Sequence, residues 1–521
     1  MSHLNAYPPA EGVPAAMPSN SPHMGSYGQI LKSSSIIGGA QALNLLVGMI
    51  KTKLVAILLG PAGVGLVGLY QSATTLVGTF AGLGITSSAV RQVAEAAGSE
   101  DDQGIGRTVV VLRRACWFSG VLGTLLTAVL AWPLSVWAFG NGERAWPIAV
   151  LGLTLLLSSI SGGQMALIQG VRRISDLARL QILSVIAGTI LSVGLFAWLG
   201  EQGIVPVLVV SAAINLGLSW WFARRVHVPI VKMTWPETIK EARHLLTLGL
   251  GFMWSALLMA GVGLAARALV VRDFGIDANG IYQAAWGVSG VFAGFILTAM
   301  GTDFYPRLTA AAGDNAEVNR LVNEQSEVGI LLALPGLLGT LVFSPLVIRI
   351  FYSAKFMDAA DLLPWFVLGI FGRVISWPLG FIQLARSAVR WFIITETSFN
   401  FLYLVLIWVG AGWIGLRGTA IAFAIVYGVY TLGMTWVAGR ISQFRWSKAV
   451  LRLFLTAGLA VAVTFGLVTI APRIVAELAG AVIVIASTFF CIRQILHRLG
   501  PQHRITQIIS RLPVIGHLLA R

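Results

Sequence analysis

Long apolar segments recur along the whole chain and limit its fold more than any other feature. The chain has 521 residues, of which 56% are hydrophobic and only 11% are charged, whereas soluble domains carry about 25% charged residues. Most apolar residues lie in about fourteen segments, each long enough to cross roughly 30 Å of hydrocarbon as a helix. In lipid the backbone must satisfy its own hydrogen bonds, which favours helices. The sequence therefore predicts an all-α polytopic membrane protein with about 14 transmembrane helices.

The basic residues between these segments predict the orientation of the chain. Lys and Arg number 36 against 21 Asp and Glu, a net charge of +15. With the N-terminus in the cytoplasm, most of them fall on the cytoplasmic side, where membrane proteins carry an excess of Lys and Arg. The predicted outer side carries only Arg144, Arg267, Arg272, Arg349, Lys355, Arg417 and Arg473. We therefore expect both termini in the cytoplasm. Because the positive charges lie in short loops between apolar segments, we do not expect nucleic acid as a partner.

The longest charged connections divide the chain into parts. The predicted parts are a disordered cytoplasmic tail (1–29), an N-lobe of six helices (30–223), a cytoplasmic linker (224–244), a C-lobe of six helices (245–438), an extra helix pair (439–496) and a basic amphipathic cytoplasmic tail (497–521). The first tail is rich in Pro and lacks both an apolar core and Lys or Arg, so it does not resemble a signal peptide.

A short segment at the end of the first predicted helix recurs in the second half of the chain. A shift of 215 positions places Leu54, Val55, Gly60, Gly65 and Leu66 on Leu269, Val270, Gly275, Gly280 and Ile281. The pair Tyr70-Gln71 recurs as Tyr282-Gln283, three residues out of register. Both copies join two apolar segments through a turn bounded by glycines. Such internal similarity predicts two related lobes with a site between them.

Sequence motifs for catalysis and metal binding are absent. The chain has no Walker A motif, no His or Cys spacing typical of a metal site, no G-x-S-x-G and no paired carboxylates within the apolar segments. Its two cysteines, Cys116 and Cys491, both fall within apolar segments and predict no disulfide framework. We therefore predict a transporter without a cofactor rather than an enzyme.

Charged and amide side chains inside the apolar segments are the candidate functional residues, because charge in hydrocarbon is expensive and usually faces a water-filled cavity. The candidate substrate-binding residues are Lys51, Lys53, Arg267, Arg272, Arg373, Gln41, Asn44, Gln71 and Gln283, and the candidate coupling residues are Asp303 and Glu396. Arg373 is the deepest predicted charge. For Lys53 and Arg272 the alternative is that they reach the outer headgroups. For each amide the alternative is a hydrogen bond between helices.

The repeated segment also carries a family resemblance. The stretch Lys53–Gly65, followed by Gly68-Leu69-Tyr70-Gln71, resembles the start of bacterial polysaccharide flippases, specifically O-antigen translocases. The stretch Gly301–Leu308 is also similar to that family. The resemblance covers residues from about 30 to 440, and the final helix pair is absent from some relatives. It implies the multidrug/oligosaccharidyl-lipid/polysaccharide exporter superfamily, with two six-helix lobes around a central cavity.

The same resemblance implies a substrate and a location. The substrate would be a polyprenyl-diphosphate-linked oligosaccharide, an O-antigen or exopolysaccharide repeat unit, moved across the bacterial inner membrane by alternating access. The implied partners are this lipid-linked glycan, membrane lipids and the polysaccharide polymerase machinery. Cationic side chains suit a diphosphate, and amides suit a sugar.

Two other functions stay open. A cation-coupled multidrug exporter of the same superfamily would need membrane-embedded acids, and only Asp303 and Glu396 come near that requirement. A membrane-embedded polysaccharide polymerase or glycosyltransferase would need a large extramembrane loop or acidic catalytic residues. The predicted outer loops are short, so the enzyme is the least favoured of the three functions.

Overall fold

The computed structural model describes residues 24–98 and 102–499, and it contains only helices and their connections over these residues. The helices are α1 (Met24–Gly82), α2 (Ile85–Gly98), α3 (Asp102–Phe139), α4 (Ala145–Gly170), α5 (Ile174–Leu199), α6 (Ile204–Ala223), α7 (Trp235–Phe274), α8 (Ile276–Ala310), α9 (Asn315–Val342), α10 (Ser344–Phe351), α11 (Ala359–Ala385), α12 (Val389–Ile414), α13 (Leu416–Ser442), α14 (Lys448–Ile470) and α15 (Arg473–Leu499). Short 3-10 helices follow α5 (Gly200–Gly203) and α10 (Ala354–Phe356). The prediction of an all-α polytopic protein is confirmed.

The described part of the chain has 11 helical segments that are long and apolar enough to cross a membrane. One of them, Leu43–Gly82, contains a break at Gly60, and another, Ile174–Ala223, comprises α5, a 3-10 turn and α6. Helix α8 is not among the 11. The predicted number of about 14 spans therefore stays a prediction.

Several helix ends differ from the predicted parts. Helix α1 begins at Met24, so residues 24–29 of the predicted tail are helical. Residues 1–23 lie outside the described residues, as does nearly all of the predicted C-terminal tail, 500–521. Helix α7 begins at Trp235, within the predicted linker. The connection between the lobes is therefore shorter than the apolar pattern indicates.

Local hydrogen bonds explain the early start of α7. Thr234 and Glu237 form a capping box, in which the Glu237 carboxylate accepts the backbone N–H of Thr234 at 2.8 Å. This backbone hydrogen bond lowers the pKa of Glu237. The Arg114 guanidinium of α3 donates to the Met233 carbonyl at 3.0 Å and to the Thr238 hydroxyl at 2.6 Å, and it lies over the Trp235 ring. These contacts hold the connection against the N-lobe.

The two copies of the repeated segment share one backbone conformation. Gly60 has φ 66° and ψ −168°, and Gly275 has φ 89° and ψ 172°. Residues with a side chain rarely adopt this conformation, so both positions favour glycine. Each glycine breaks a long helical run, Gly60 within α1 and Gly275 between α7 and α8. The two copies therefore share the same glycine turn.

The two copies also contact each other. A Cβ atom at Gly65 would overlap the carbonyl oxygen of Ile276, and a Cβ atom at Gly280 would overlap the carbonyl oxygen of Pro61. Asn279, which is fully buried, donates a hydrogen bond from its amide to the Gly65 carbonyl at 2.7 Å. The N-lobe and the C-lobe thus meet here, backbone against backbone. We call this contact the α1–α8 crossing.

The C-lobe has an aromatic core around α11, and the final helix pair packs beside it. Phe366 of α11 lies edge-on to Trp286 of α8, with ring centroids 5.5 Å apart. Helix α15 packs against α9, where Arg498 forms a two-pronged ion pair with Glu327 at 3.0 and 3.1 Å. The helix pair is thus attached to the C-lobe side of the molecule.

Candidate functional site

Arg267 and Gln283, two of the predicted site residues, bond to each other next to the N-lobe. The Arg267 Nε donates to Gln283 Oε1 at 2.9 Å, and its Nη1 donates to the Gly263 carbonyl at 2.7 Å. The Gln283 side chain lies against Gly68 of α1, where an added Cβ would be 3.0 Å from its Cδ. The structure therefore brings a cation and an amide of the C-lobe to the surface where the lobes meet.

Two tyrosines that the sequence did not predict as site residues lie near this pair. The charge of Arg267 acts on the hydroxyl groups of Tyr282 and Tyr403. Tyr282 is buried, and its ring stacks with that of Trp286, with the ring centroids 6.5 Å apart. The recurrence of Tyr70-Gln71 as Tyr282-Gln283 is the sequence feature that could have indicated Tyr282 as a site residue. Tyr403 lies on α12, and only the folded structure brings it here.

Arg373, the deepest predicted charge, is half-buried near the middle of α11. No hydrogen bond or ion pair of its guanidinium occurs among the residues that the structure describes. Its charge acts on the hydroxyl groups of Tyr427 and Tyr430 of α13. The packing of the neighbouring Gly372 against Tyr427 brings α11 and α13 close together. Arg373 is therefore a cation whose donors are left unused by the part of the protein described here.

Glu396 of α12 is close enough to the same two tyrosines for its charge to act on them. Its Oε2 accepts a hydrogen bond from the Ser255 hydroxyl of α7 at 2.9 Å. The charge of Glu396 acts on Tyr427 and Tyr430, as that of Arg373 does. Yet the Arg373 guanidinium and the Glu396 carboxylate do not form one of the ion pairs within 4.0 Å that occur among the described residues. Glu396 and Arg373 therefore share two tyrosine neighbours but do not form a direct ion pair with each other.

The predicted lysines lie on α1, close to the C-lobe. The Lys53 ammonium donates to the carbonyl oxygen of Arg349 in α10. Lys51 is half-buried and has no hydrogen-bond partner within residues 24–98 and 102–499. Lys53 thus links the two lobes in this conformation, while the ammonium of Lys51 is unpaired.

The other predicted residues are not gathered in one place. Arg272 is exposed at the end of α7, and Asp303 is exposed and pairs with Arg307 at 3.1 Å. Gln41 and Gln71 are exposed on α1, while the side-chain oxygen of Asn44 is buried and has no hydrogen-bond partner among the described residues. The roles of these residues stay predictions. Of the two coupling candidates, Glu396 is the one that shares neighbours with Arg373 among the described residues, namely Tyr427 and Tyr430.

Comparisons with known proteins agree with this fold. The family described as "Polysaccharide biosynthesis protein" matches residues 54–361. The chain is 23% identical over 418 residues to the Lipid III flippase of Escherichia coli (strain K12), with 77% of this chain and 96% of that protein covered. The Lipid III flippase of Shigella flexneri matches to the same extent.

Solved structures show the same architecture. The structure of the Lipid II flippase MurJ in an inward closed conformation matches with a TM-score of 0.64 at 16% identity, over 88% of this chain and 99% of that one. An inward-facing multidrug resistance transporter of the MATE family matches with a TM-score of 0.58 at 17% identity, over 77% and 95%. At these identities the matches show the fold, and it is the fold that the resemblance implied. Because the family match spans more than half of the chain, the protein belongs to the polysaccharide biosynthesis protein family.

Proposed function

We propose that the chain is a flippase for a polyprenyl-diphosphate-linked oligosaccharide, an O-antigen or exopolysaccharide repeat unit. It would move this glycolipid across the bacterial inner membrane by alternating access, with both termini in the cytoplasm. The observation that carries the proposal is Arg373, a mid-helix guanidinium near Tyr427 and Tyr430 whose donors no described residue uses. An unpaired cation at membrane depth is costly unless it faces water or an anionic ligand.

The chemistry of the site suits both halves of such a substrate. A guanidinium binds phosphate through charge-assisted, two-pronged hydrogen bonds, which Arg373 can provide. Sugar hydroxyl groups need partners that both donate and accept, and Gln283 and the tyrosine hydroxyls are of that kind. Arg267 is already bonded to Gln283 and Gly263 in this conformation, so we assign it a supporting part. The similarity to the Lipid III flippase supports a lipid-linked glycan.

A cation-coupled multidrug exporter is the second candidate, and Glu396 is the observation that favours it. This carboxylate accepts one hydrogen bond from Ser255 and lies within an apolar helix. Acids at membrane depth bind protons, sodium ions or cationic drugs. The same carboxylate also fits a coupling role in a flippase, so the two functions differ in their substrate rather than in this residue.

Transport of a defined glycolipid separates the two candidates. The purified protein would be placed in proteoliposomes with a labelled polyprenyl-diphosphate oligosaccharide, and a glycosidase added outside would measure the fraction that has changed leaflet. We expect protein-dependent movement of the glycolipid and none of a cationic fluorescent drug. Movement of the drug alone would contradict the flippase and support the exporter.

Coupling to a proton gradient is expected to depend on Glu396 and not on Asp303. In the glycolipid assay, an imposed pH gradient should raise the rate for the wild type and for Asp303→Asn, whose carboxylate is exposed and paired with Arg307. Glu396→Gln should transport at a rate that the gradient no longer changes, because the amide keeps the hydrogen bond from Ser255 but binds no proton. Equal wild-type rates with and without pH or sodium gradients would rule out ion coupling.

A further inference from the structure

The end of α6 carries two tryptophans followed, four residues later, by two arginines. The guanidinium carbon of Arg224 lies 5.1 Å from the centroid of the Trp220 ring, and that of Arg225 lies 3.9 Å from the centroid of the Trp221 ring. Residues four positions apart share a helix face, so each pair stacks along the helix. Because the two pairs are offset by one residue, they face different neighbours.

The first pair lines a cavity between α3, α4 and α6. This cavity has a volume of about 280 Å³. Its polar and aromatic lining consists of Arg113 and Trp117 of α3, Gln164 of α4, and Trp220 and Arg224 at the end of α6. The Gln164 side-chain oxygen already accepts a hydrogen bond from Ser219. Two guanidinium groups therefore converge on a space with aromatic walls.

The second pair lines a separate cavity between α5 and α6. It has a volume of about 360 Å³, and Arg179, Trp221 and Arg225 form its polar part. Arg173 donates to the Arg225 carbonyl at 2.7 Å, which fixes the backbone at this point. The same combination of two arginines and a tryptophan is thus repeated on the other side of α6.

The positive charge in both cavities is uncompensated. Among the described residues, no Asp or Glu lines either cavity. Within the described residues, the guanidinium groups of Arg113, Arg179, Arg224 and Arg225 form no hydrogen bond and no ion pair. The nearby carboxylate of Asp176 is already paired with Arg173 at 3.1 Å. Each cavity therefore contains two guanidinium groups that are available to bind an anion.

The first cavity opens beside a surface suited to an acyl chain. Trp117 and Trp220 are 54% and 56% exposed although both line it. Beyond Trp117, the side chains of Val121, Leu125 and Val129 are exposed at intervals of four residues along α3. An exposed apolar stripe in a membrane helix faces lipid, and tryptophans mark the headgroup level. A headgroup in the cavity would therefore have its tail along this stripe.

We propose that these two cavities bind the phosphate headgroups of anionic phospholipids, one lipid on each side of α6. Basic pockets between membrane helices are suited to lipid headgroups, and arginine binds phosphate through paired donors. Both sites lie in the N-lobe and contain none of the residues assigned to substrate transport. They would anchor the N-lobe to the leaflet that surrounds the end of α6.

Native mass spectrometry of the delipidated full-length protein tests the number and chemistry of the sites. Titration with phosphatidylglycerol should give two bound lipids at a concentration where phosphatidylethanolamine gives none. Arg113→Gln/Arg224→Gln and Arg179→Gln/Arg225→Gln should each leave one bound lipid, and the fourfold variant should leave none. Each substitution removes charge-assisted bonds, so we expect about tenfold weaker binding per arginine.

A matched control uses the same stacking motif elsewhere. Arg440 lies over the Trp436 ring at 5.4 Å with the same spacing of four residues, but it lines neither cavity. Arg440→Gln should leave two bound lipids, and Arg224→Lys, which keeps the charge, should bind more tightly than Arg224→Gln. Equal binding of phosphatidylethanolamine, unchanged lipid numbers in both double variants, or tighter binding of polyprenyl phosphate than of phosphatidylglycerol would each overturn the proposal. So would equal binding of glycerol phosphate, which has no acyl chains.

Discussion

Arg373→Ala is expected to abolish most of the restoration of surface polysaccharide in a bacterial strain that lacks its own flippase. The guanidinium lies at mid-helix and has no partner in the part of the chain that the structure describes, so under the proposed function its donors are free for the substrate diphosphate. A hydrogen bond to a charged group contributes roughly 1.5–3 kcal/mol, and about 1.4 kcal/mol corresponds to a factor of ten. Loss of Arg373 should therefore weaken glycolipid binding about ten- to a hundredfold.

Two variants separate binding from folding in this experiment. Arg272→Ala removes a similar charge from an exposed position at the end of α7, and it should restore polysaccharide nearly as well as the wild type. Arg373→Lys should recover part of the activity, because it keeps the charge and loses the planar pair of donors. Membrane levels of each variant would be measured by immunoblot. Full restoration by a well-expressed Arg373→Ala protein would remove this residue from the substrate site.

The spacing of glycines was enough to predict the repeat and the place of its two turns. The shift of 215 positions paired Gly60 with Gly275, and both glycines adopt the same positive φ. A positive φ is a local requirement, so a sequence can record it in a single residue. What the sequence did not reveal is that the two copies touch, with Gly65 against Ile276 and Gly280 against Pro61. That contact depends on how the lobes are placed.

The candidate site was predicted in part for a similar reason. The depth of Arg373 follows from counting residues along an apolar segment, and the structure places it mid-helix. Its neighbours Tyr427 and Tyr430 depend on the rotation of α13, which a uniformly apolar helix does not encode in its pattern. Asp303 and Glu396 were equal candidates in the sequence. Only the fold separates the exposed, paired Asp303 from Glu396.

The early start of α7 is indicated by capping residues in the sequence, but hydropathy alone does not show it. The apolar pattern begins near residue 245, whereas the capping residues Thr234 and Glu237 mark the observed start at Trp235. Pro236 in the first turn is a further start signal. Charged residues in the first turns of a membrane helix lower its hydropathy without preventing the helix, so capping motifs are the better guide there.

Gly280→Ala is expected to prevent the lobes from closing at the α1–α8 crossing. The added Cβ would overlap the Pro61 carbonyl, which is backbone and has little freedom to move. Alanine is otherwise the better helix former by about 1 kcal/mol, so the substitution should not weaken α8 itself. In an alternating-access cycle, blocking one closed state stops transport. We therefore expect loss of glycolipid transport in a protein that is folded and present in the membrane.

Thiol labelling can show whether the crossing is open. In a background with Cys116→Ser and Cys491→Ser, a cysteine replacing the buried Val64 should react slowly with a water-soluble maleimide. Gly280→Ala should raise this rate at least tenfold. Gly290→Ala should leave it unchanged, because a Cβ at Gly290 of the same helix has no atom of the described residues within 4 Å. Unchanged labelling together with full transport in Gly280→Ala would mean that the crossing is not a closing contact of the cycle. Unchanged labelling with lost transport would instead place the effect of the added methyl group outside the opening of the lobes.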